Sequence, residues 1–118
     1  MDEVRARLGT GTFILAEESG VVEGCVYVEP RAERAYLGLL SVDPARQGSG
    51  IGKLLMGAAE AHCRKAGCGF VDLRVVNLRK ELPPFYQKLG YVLSGTAPFP
   101  AGAYSKIPCH FLIMSKVL

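Results

Sequence analysis

The chain has 118 residues, a formal net charge of +3 and 49% hydrophobic residues, which fits a single globular domain spanning residues 1–118. It has no run of basic residues to bind nucleic acid or a membrane surface, and no apolar run approaches the roughly 20 residues that a membrane span needs. Because the first residues carry acids and no apolar stretch, we expect no secretory signal and a cytoplasmic protein.

The first half of the chain predicts a β-hairpin followed by a third strand. Two β-rich segments, 12–18 and 21–29, flank a Ser-Gly pair, a spacing typical of an antiparallel hairpin. A charged turn at 31–34 then leads into AYLGLLSV at 35–42. This nearly continuous apolar segment predicts a central strand that is buried on both faces.

A helix and a parallel strand are predicted next. From Ile51 the apolar positions 51, 54, 55, 58 and 62 recur at the spacing of one helix face, and Gly67 is a plausible stop signal. Segment 70–76, FVDLRVV, is the following strand. Because a helix separates them, strands 35–42 and 70–76 are expected to be parallel neighbours joined by a right-handed crossover.

The last third of the chain predicts a short helix and two closing strands. The helix falls near 82–89, and the strands at 91–95 and 109–117 enclose a Pro- and Gly-rich loop at 96–108. The predicted fold is therefore α/β, a mixed antiparallel and parallel sheet built around a βαβ core.

Glycines occupy alternate positions where the predicted strand 35–42 ends and the long helix begins, at Gly48, Gly50 and Gly52. The first N–H groups of a helix have no intrahelical acceptor, and the helix dipole adds partial positive charge there. Glycines let a ligand approach such a backbone closely. This junction is therefore a predicted anion site.

The spacing of the glycines decides between the known phosphate-binding motifs. A P-loop needs a glycine where Gln47 stands and a serine or threonine where Leu54 follows Lys53. A dinucleotide fingerprint starting at Gly48 would need its third glycine at Lys53. Both motifs fail on this sequence.

A third motif fits. The segment Gln47–Gly52 matches [QR]-x-x-G-x-[GA], and in it the chain resembles the GNAT superfamily of N-acetyltransferases. A second block, NLRKELPPFYQKLGYV, is similar to the stretch in which that family places a tyrosine four residues before a glycine–aromatic pair, here Tyr86, Gly90 and Tyr91. Both blocks occur in the family's order, with helix and strand between them.

The resemblance implies acetyl-CoA as co-substrate. In the family the glycine loop holds the pyrophosphate, the pantetheine arm pairs with the preceding strand like an added β-strand, and an asparagine, here Asn77 or in its place Arg79, contacts that arm. The implied coenzyme contacts are Leu40, Ser41, Val42, Gln47, Gly48, Ser49, Gly50, Ile51, Gly52, Lys53, Asn77 and Tyr86. No metal is implied, and the four cysteines lack the paired spacing of a zinc site.

The resemblance also implies a reaction, transfer of an acetyl group to a primary amine of a small molecule, a peptide N-terminus or a lysine. Tyr86 is expected to be the general acid that protonates the departing coenzyme thiolate, the other interpretation being a core aromatic residue. Glu81, Asp72 or a water chain would accept the proton of the amine. The alternative function is a non-catalytic acyl-CoA-binding module.

The sequence departs from the family before the hairpin. Members of the family usually carry a strand and two helices there, which wall the acceptor pocket, whereas only residues 1–11 precede TFILAEE. Three alternatives follow: half of the acceptor site is missing, a partner chain supplies it, or loop 96–108 replaces it. We also expect a homodimer to cover the apolar surface that the short start leaves.

Overall fold

The computed structural model describes residues 2–8, 11–98 and 109–118, with side chains for the last two ranges. Within these ranges, one seven-stranded mixed sheet has the strand order β1-β2-β3-β4-β5-β7-β6, and two helices accompany it, which confirms the predicted α/β fold. The elements are β1 (Asp2–Leu8), β2 (Gly11–Glu18), β3 (Val21–Arg31), β4 (Arg34–Val42), a 3₁₀ turn (Pro44–Arg46), α1 (Ile51–Lys65), β5 (Phe70–Val76), α2 (Leu82–Lys88), β6 (Val92–Pro98) and β7 (His110–Val117).

The predicted hairpin is confirmed, and the structure adds a strand before it. Strands β2 and β3 pair antiparallel, with Ile14 opposite Val26. The sequence interpretation missed β1, which pairs antiparallel with β2 from Asp2 opposite Glu17 to Leu8 opposite Gly11. A strand signal is nevertheless present in DEVRARL, because apolar residues alternate with arginines over its second half.

The strand predicted at 35–42 is present, but the prediction that both of its faces are buried is wrong. Ala35 and Leu37 are buried, but Leu39 is 68% exposed. A β-bulge lies between Gly38, which pairs with Tyr27, and Ser41, which pairs with Cys25, and Leu39 has a φ of +55°. The bulge turns the end of β4 out of the regular pleat, so its apolar residues do not all enter the core.

Strands β4 and β5 are parallel neighbours, as predicted, but over only part of their length. Their pairing runs from Arg34 opposite Phe70 to Leu37 opposite Leu73, although β4 continues to Val42 and β5 to Val76. The two strands therefore separate where the bulge begins. We call this opening, between 38–42 of β4 and 74–76 of β5, the β4–β5 wedge.

Helix α1 packs on β3, β2 and β4 and ends before Gly67, whose φ is +87°. The predicted apolar face is only partly right, since Leu54 is 48% exposed. The helix buries Ile51, Leu55, Met56, Ala59, Glu60 and Cys63. Helix α2 begins with two prolines in its first turn, where their missing N–H groups cost no hydrogen bond.

The buried side chains of the sheet lie on the face that carries the helices. Ile14, Val26, Leu37, Val71 and Met114 belong to one core cluster with residues of α1 and with Tyr86 of α2. The opposite face keeps half-buried side chains. No helix in the described part of the chain is long and apolar enough to cross a membrane.

Candidate functional site

The turn that follows β4 is fixed by backbone hydrogen bonds. The N–H of Asp43 donates to the carbonyl of Glu23 on β3 at 2.8 Å, and the N–H of Arg46 donates to the carbonyl of Asp43 at 2.7 Å. The Asp43 carboxylate caps the turn by accepting from the N–H of Ala45 at 3.0 Å. The glycine segment therefore starts from a defined position at the end of β4.

Gly48 and Gly50 adopt backbone conformations that side chains disfavour, with φ of +85° and +89°. A Cβ at either position would meet nothing within 4 Å, so their outer surface is open. Gly52 differs, because a Cβ there would lie 3.2 Å from the ring of Phe85. Gly52 thus lets α2 pack against the first turn of α1.

The open glycines lead directly into the N-terminus of α1. Gly50 is its N-cap and supplies no side-chain hydrogen bond, so the first helical N–H groups, from Ile51 onward, have no acceptor in the helix. The hydroxyl and N–H of Ser49 both donate to the carbonyl of Arg46 and stabilise the loop from inside. Lys53 is exposed and lines a shallow surface groove with Gly50, Leu54, Gly57 and Ala58.

The predicted pantetheine segment lies at the edge of the β4–β5 wedge. Leu40 and Val42 are partly buried and pack against the core, whereas Ser41 is exposed and pairs with Cys25 of β3. On the wedge side this stretch of β4 has no pairing with β5. Its backbone therefore offers an edge to which an extended chain can add.

Tyr86 is 7% exposed and lies in the core cluster on α2. Its ring packs edge-to-face on Phe85 and Tyr91, with centroids 5.1 Å and 6.0 Å away. Burial raises the pKa of the phenol, and the positive charge of Arg79 opposes this shift. The phenol is therefore protonated at neutral pH, as a general acid must be.

Behind Tyr86, the ring of Tyr91 is held by a buried ionic cluster. The Tyr91 hydroxyl donates to Glu60 Oε2 at 3.0 Å, and Lys116 Nζ donates to Glu60 Oε1 at 2.8 Å. Lys116 Nζ also lies 5.7 Å from the centroid of the Tyr91 ring. Burial, followed by the neighbouring Glu60 carboxylate, raises the pKa of Tyr91. The sequence interpretation missed this cluster, whose one signal is a glutamate on the buried face of α1.

Asn77 links the end of β5 to the start of β7. Its Oδ1 accepts from the N–H of His110 at 2.9 Å, and its own N–H donates to the carbonyl of His110 at 3.0 Å. The carboxamide oxygen is thus used within the protein, and the pantetheine contact stays a prediction. Arg79, the alternative residue, is exposed and pairs with Glu81 at 2.5 Å.

The two carboxylates considered as general bases both belong to ion pairs. Asp72 accepts two hydrogen bonds from Arg34, at 2.7 Å and 2.6 Å, and these lower its pKa. Arg79 lowers the pKa of Glu81 in the same way. Asp72 also points away from Tyr86, since it alternates with the buried Val71 and Leu73 along β5. Neither carboxylate is a strong base at neutral pH.

The acceptor wall proposed for loop 96–108 lies mostly outside the described residues, which resume at Cys109. Its first residues, up to Pro98, extend β6 beyond the predicted 91–95. Cys25, Cys63, Cys68 and Cys109 carry thiols and not disulfides. Within 11–98 and 109–118, His, Cys, Asp and Glu side chains do not gather in threes as metal ligands would.

Comparison with known proteins identifies relatives. The chain is 32% identical over 98 residues to blasticidin-S acetyltransferase of Streptomyces morookaense, a match covering 81% of this chain and 68% of that protein. It is 30% identical over 95 residues to mycothiol acetyltransferase of Propionibacterium freudenreichii subsp. shermanii. That match covers 80% of this chain but spans only 27% of the relative's length.

The fold and the family model agree with these relatives. A solved GNAT family acetyltransferase from Elizabethkingia anophelis with acetyl-CoA bound is similar in structure, with a TM-score of 0.81 at 19% identity, over 92% of this chain and 77% of that chain. Residues 9–93 match the family model of the acetyltransferase (GNAT) domain. The chain therefore belongs to the GNAT acetyltransferase family.

Proposed function

We propose that this chain transfers the acetyl group of acetyl-CoA to a primary amine. The observation that carries the proposal is the junction of β4 and α1, where Gly48 and Gly50 present an open backbone with positive φ at an uncapped helix N-terminus. The contact of Phe85 with Gly52 places α2, and with it Tyr86, beside that junction. Membership of the GNAT family supports the same activity.

In this proposal the coenzyme binds along β4 and the glycine loop. The backbone N–H groups from Gly50 to Lys53 would hold its pyrophosphate, because they combine unpaired donors with the positive end of the helix dipole. Gln47 opens that loop and Lys53 adds one positive charge beside it. The pantetheine arm would pair with the backbone of 40–42 at the wedge, as an added strand.

The chemistry is direct attack on the thioester. The amine nitrogen forms a bond to the acetyl carbonyl carbon, and the tetrahedral intermediate collapses by breaking the carbon–sulfur bond. Tyr86 donates its phenolic proton to the departing sulfur, which its raised pKa keeps available at neutral pH. Because Asp72 and Glu81 are held in ion pairs, the proton of the attacking amine would leave to solvent water.

The acceptor is proposed to be a small molecule. The two relatives at 30% identity or more are named for the acetylation of mycothiol and of blasticidin S. Those names favour a small-molecule amine over a peptide N-terminus or a lysine side chain. A primary amine whose pKa lies above neutral pH must lose its proton before it can attack. Turnover should therefore rise with pH toward the pKa of the acceptor.

The test combines coenzyme binding with turnover. Calorimetry measures the affinity of the purified chain for coenzyme A, and a thiol-release assay then follows acetyl-CoA with small amines, free lysine and short peptides. Amine-dependent thiol release supports the enzyme. Tight coenzyme binding without release for any amine would instead favour the alternative, a non-catalytic acyl-CoA-binding module.

We also propose a homodimer that covers the sheet face opposite the helices. This face carries half-buried aromatic side chains, among them Phe13, Tyr27, Tyr36 and Phe70. Arg31 and Arg34 stack over the rings of Tyr36 and Phe70, so this face combines aromatic side chains with arginines, a composition enriched at interfaces between chains. Sedimentation at micromolar concentration should show a dimer, and a monomer alone would contradict the proposal.

The cytoplasmic location and the single domain spanning 1–118 also remain predictions.

A further inference from the structure

Glu23 of β3 is a buried carboxylate at the base of the glycine loop. Glu23 is 4% exposed, and its Oε1 lies 3.2 Å from Arg46 Nε in an ion pair. Its Oε2 is fully buried and has no hydrogen-bond partner among the described atoms. Burying a carboxylate with one unsatisfied oxygen costs free energy, so stabilisation of the fold does not by itself account for Glu23 at this position.

Arg46 connects this carboxylate to the loop. Its carbonyl accepts from both the N–H and the hydroxyl of Ser49, and its N–H donates to the carbonyl of Asp43. The Arg46 side chain is 53% exposed, and its guanidinium forms the ion pair with Glu23. A shift of the Arg46 backbone would therefore disturb the hydrogen bonds that hold Ser49, which directly precedes Gly50.

The loop has no apolar anchor of its own. Every residue from Asp43 to Gly50 is exposed, and the 3₁₀ turn at Pro44–Arg46 buries none of its side chains. Among the described residues, one backbone hydrogen bond, from Asp43 to Glu23, and the Glu23–Arg46 ion pair tie it to β3. Of these, the ion pair is the side-chain contact that reaches a buried group.

We propose that Glu23 is a positioning residue for coenzyme binding. Its carboxylate holds Arg46, and Arg46 sets the position of the open N–H groups at Gly50 and beyond. The inference rests on the proposed function, because it assigns the loop to the coenzyme phosphates. It places the role of Glu23 in the binding step and not in the acetyl transfer, since Glu23 acts through Arg46.

The test is Glu23→Gln, which keeps the shape of the side chain and removes its charge. We expect the Kd for coenzyme A and the KM for acetyl-CoA to rise by about five- to tenfold, with kcat unchanged. The melting temperature should stay equal or increase, because a buried charge is removed while the exposed Arg46 stays solvated. A purely structural Glu23 predicts the reverse, a lower melting temperature with an unchanged Kd.

The matched control is Glu29→Gln on the same strand. Glu29 forms an ion pair with the exposed Arg31 at 2.7 Å, near the end of β3 that lies away from the loop. The Kd of the Glu29→Gln variant for coenzyme A should equal that of the unaltered chain. An equal rise in Kd for both variants would overturn the assignment.

A second variant keeps the inference open to disproof if Glu23→Gln does not fold. Arg46→Gln should raise the Kd by a similar factor on its own, and where Glu23→Gln folds, the double variant should add little to either single change. Additive effects would show that Glu23 and Arg46 act independently, against the proposal. Failure of the unaltered chain to bind coenzyme A refutes the proposed function itself, whereas equal binding by the variants and the unaltered chain refutes only the role of Glu23.

Discussion

The two ends of the candidate site are built in opposite ways. At the phosphate end, residues Asp43 to Gly50 are exposed, and the loop owes its shape to backbone hydrogen bonds and positive φ angles. At the other end, Tyr86, Tyr91 and Glu60 are buried and held by ring contacts and an ionic cluster. We conclude that changes of backbone conformation should damage the first end more than loss of the Glu23–Arg46 ion pair does, and that losses of single side-chain atoms should damage the second end.

The largest effect is expected from Tyr86→Phe. If Tyr86 protonates the thiolate, losing the hydroxyl should lower kcat by roughly 10² to 10⁴, with the Kd for coenzyme A nearly unchanged. Stability should change little, because Phe fills the same space between Phe85 and Tyr91. Steady-state kinetics and a thermal melt on both proteins provide the measurement, and a variant that keeps half of the rate would assign Tyr86 to packing.

The pH profile sharpens this prediction. Because burial raises the pKa of Tyr86 above its usual value of about 10, activity should persist through neutral pH and fall as pH rises through the raised pKa. The Phe variant should lack this alkaline limb. Arg79→Gln removes a charge that lowers the pKa, so it should move the limb to higher pH. A limb that persists in the Phe variant would belong to another group.

Tyr91→Phe should produce the next largest effect, on stability. It removes the hydrogen bond to Glu60 Oε2 and leaves one oxygen of a buried carboxylate without that donor, while Lys116 still binds the other. Hydrogen bonds to charged groups contribute about 1.5–3 kcal/mol, so the free energy of unfolding should fall by that amount. Urea unfolding measures it. The Tyr91 ring also packs against Tyr86, so a small fall in kcat is expected. A large fall in kcat would show that Tyr91 takes part in the reaction.

Gly50→Ala tests the backbone end. A side chain at φ of +89° is strained although it meets no neighbouring atom, so the loop should shift and coenzyme affinity should fall by at least about tenfold, or 1.4 kcal/mol. Gly20→Ala is the matched control, because Gly20 has a φ of +80°, equally open surroundings and a place in the β2–β3 turn. That control should lose stability but keep its affinity by calorimetry, and equal losses of affinity would remove Gly50 from the site.

Lys53→Ala should produce the smallest effect. The side chain is exposed, so its attraction for a phosphate is screened by water and salt, and affinity should fall by only about two- to fivefold at physiological ionic strength. The loss should shrink further in high salt. Lys65→Ala, at the other end of α1, serves as control. A larger loss for Lys53→Ala than for Gly50→Ala would show that charge, not backbone, dominates phosphate binding.

Local patterns in the sequence were sufficient for the elements around the phosphate end. The glycine spacing, the helical period after Ile51 and the strand 70–76 are features of neighbouring residues, and the structure has the helix and the strand at these places. The same patterns indicated the parallel order of β4 and β5, because a crossover helix lies between them.

The features that the sequence did not reveal depend on residues far apart in the chain. Glu60 and Tyr91 are 31 positions apart, and the Glu23–Arg46 pair joins two different elements. The exposure of Leu39 follows from a bulge that only the register against β3 defines. Apolar residues alone therefore predicted too much burial for β4, because burial depends on which neighbours remain beside the strand.

The β4–β5 wedge gives the sheet two extra edges in its interior, one on β4 and one on β5. Free strand edges are the usual starting points of intermolecular β-pairing, and proteins protect them with charges, bulges or a covering segment. The bulge at Leu39 protects part of the β4 edge, and a bound pantetheine arm would cover the rest. Aggregation on storage or heating should therefore be slower with coenzyme A present, by more than its stabilisation of the folded state predicts.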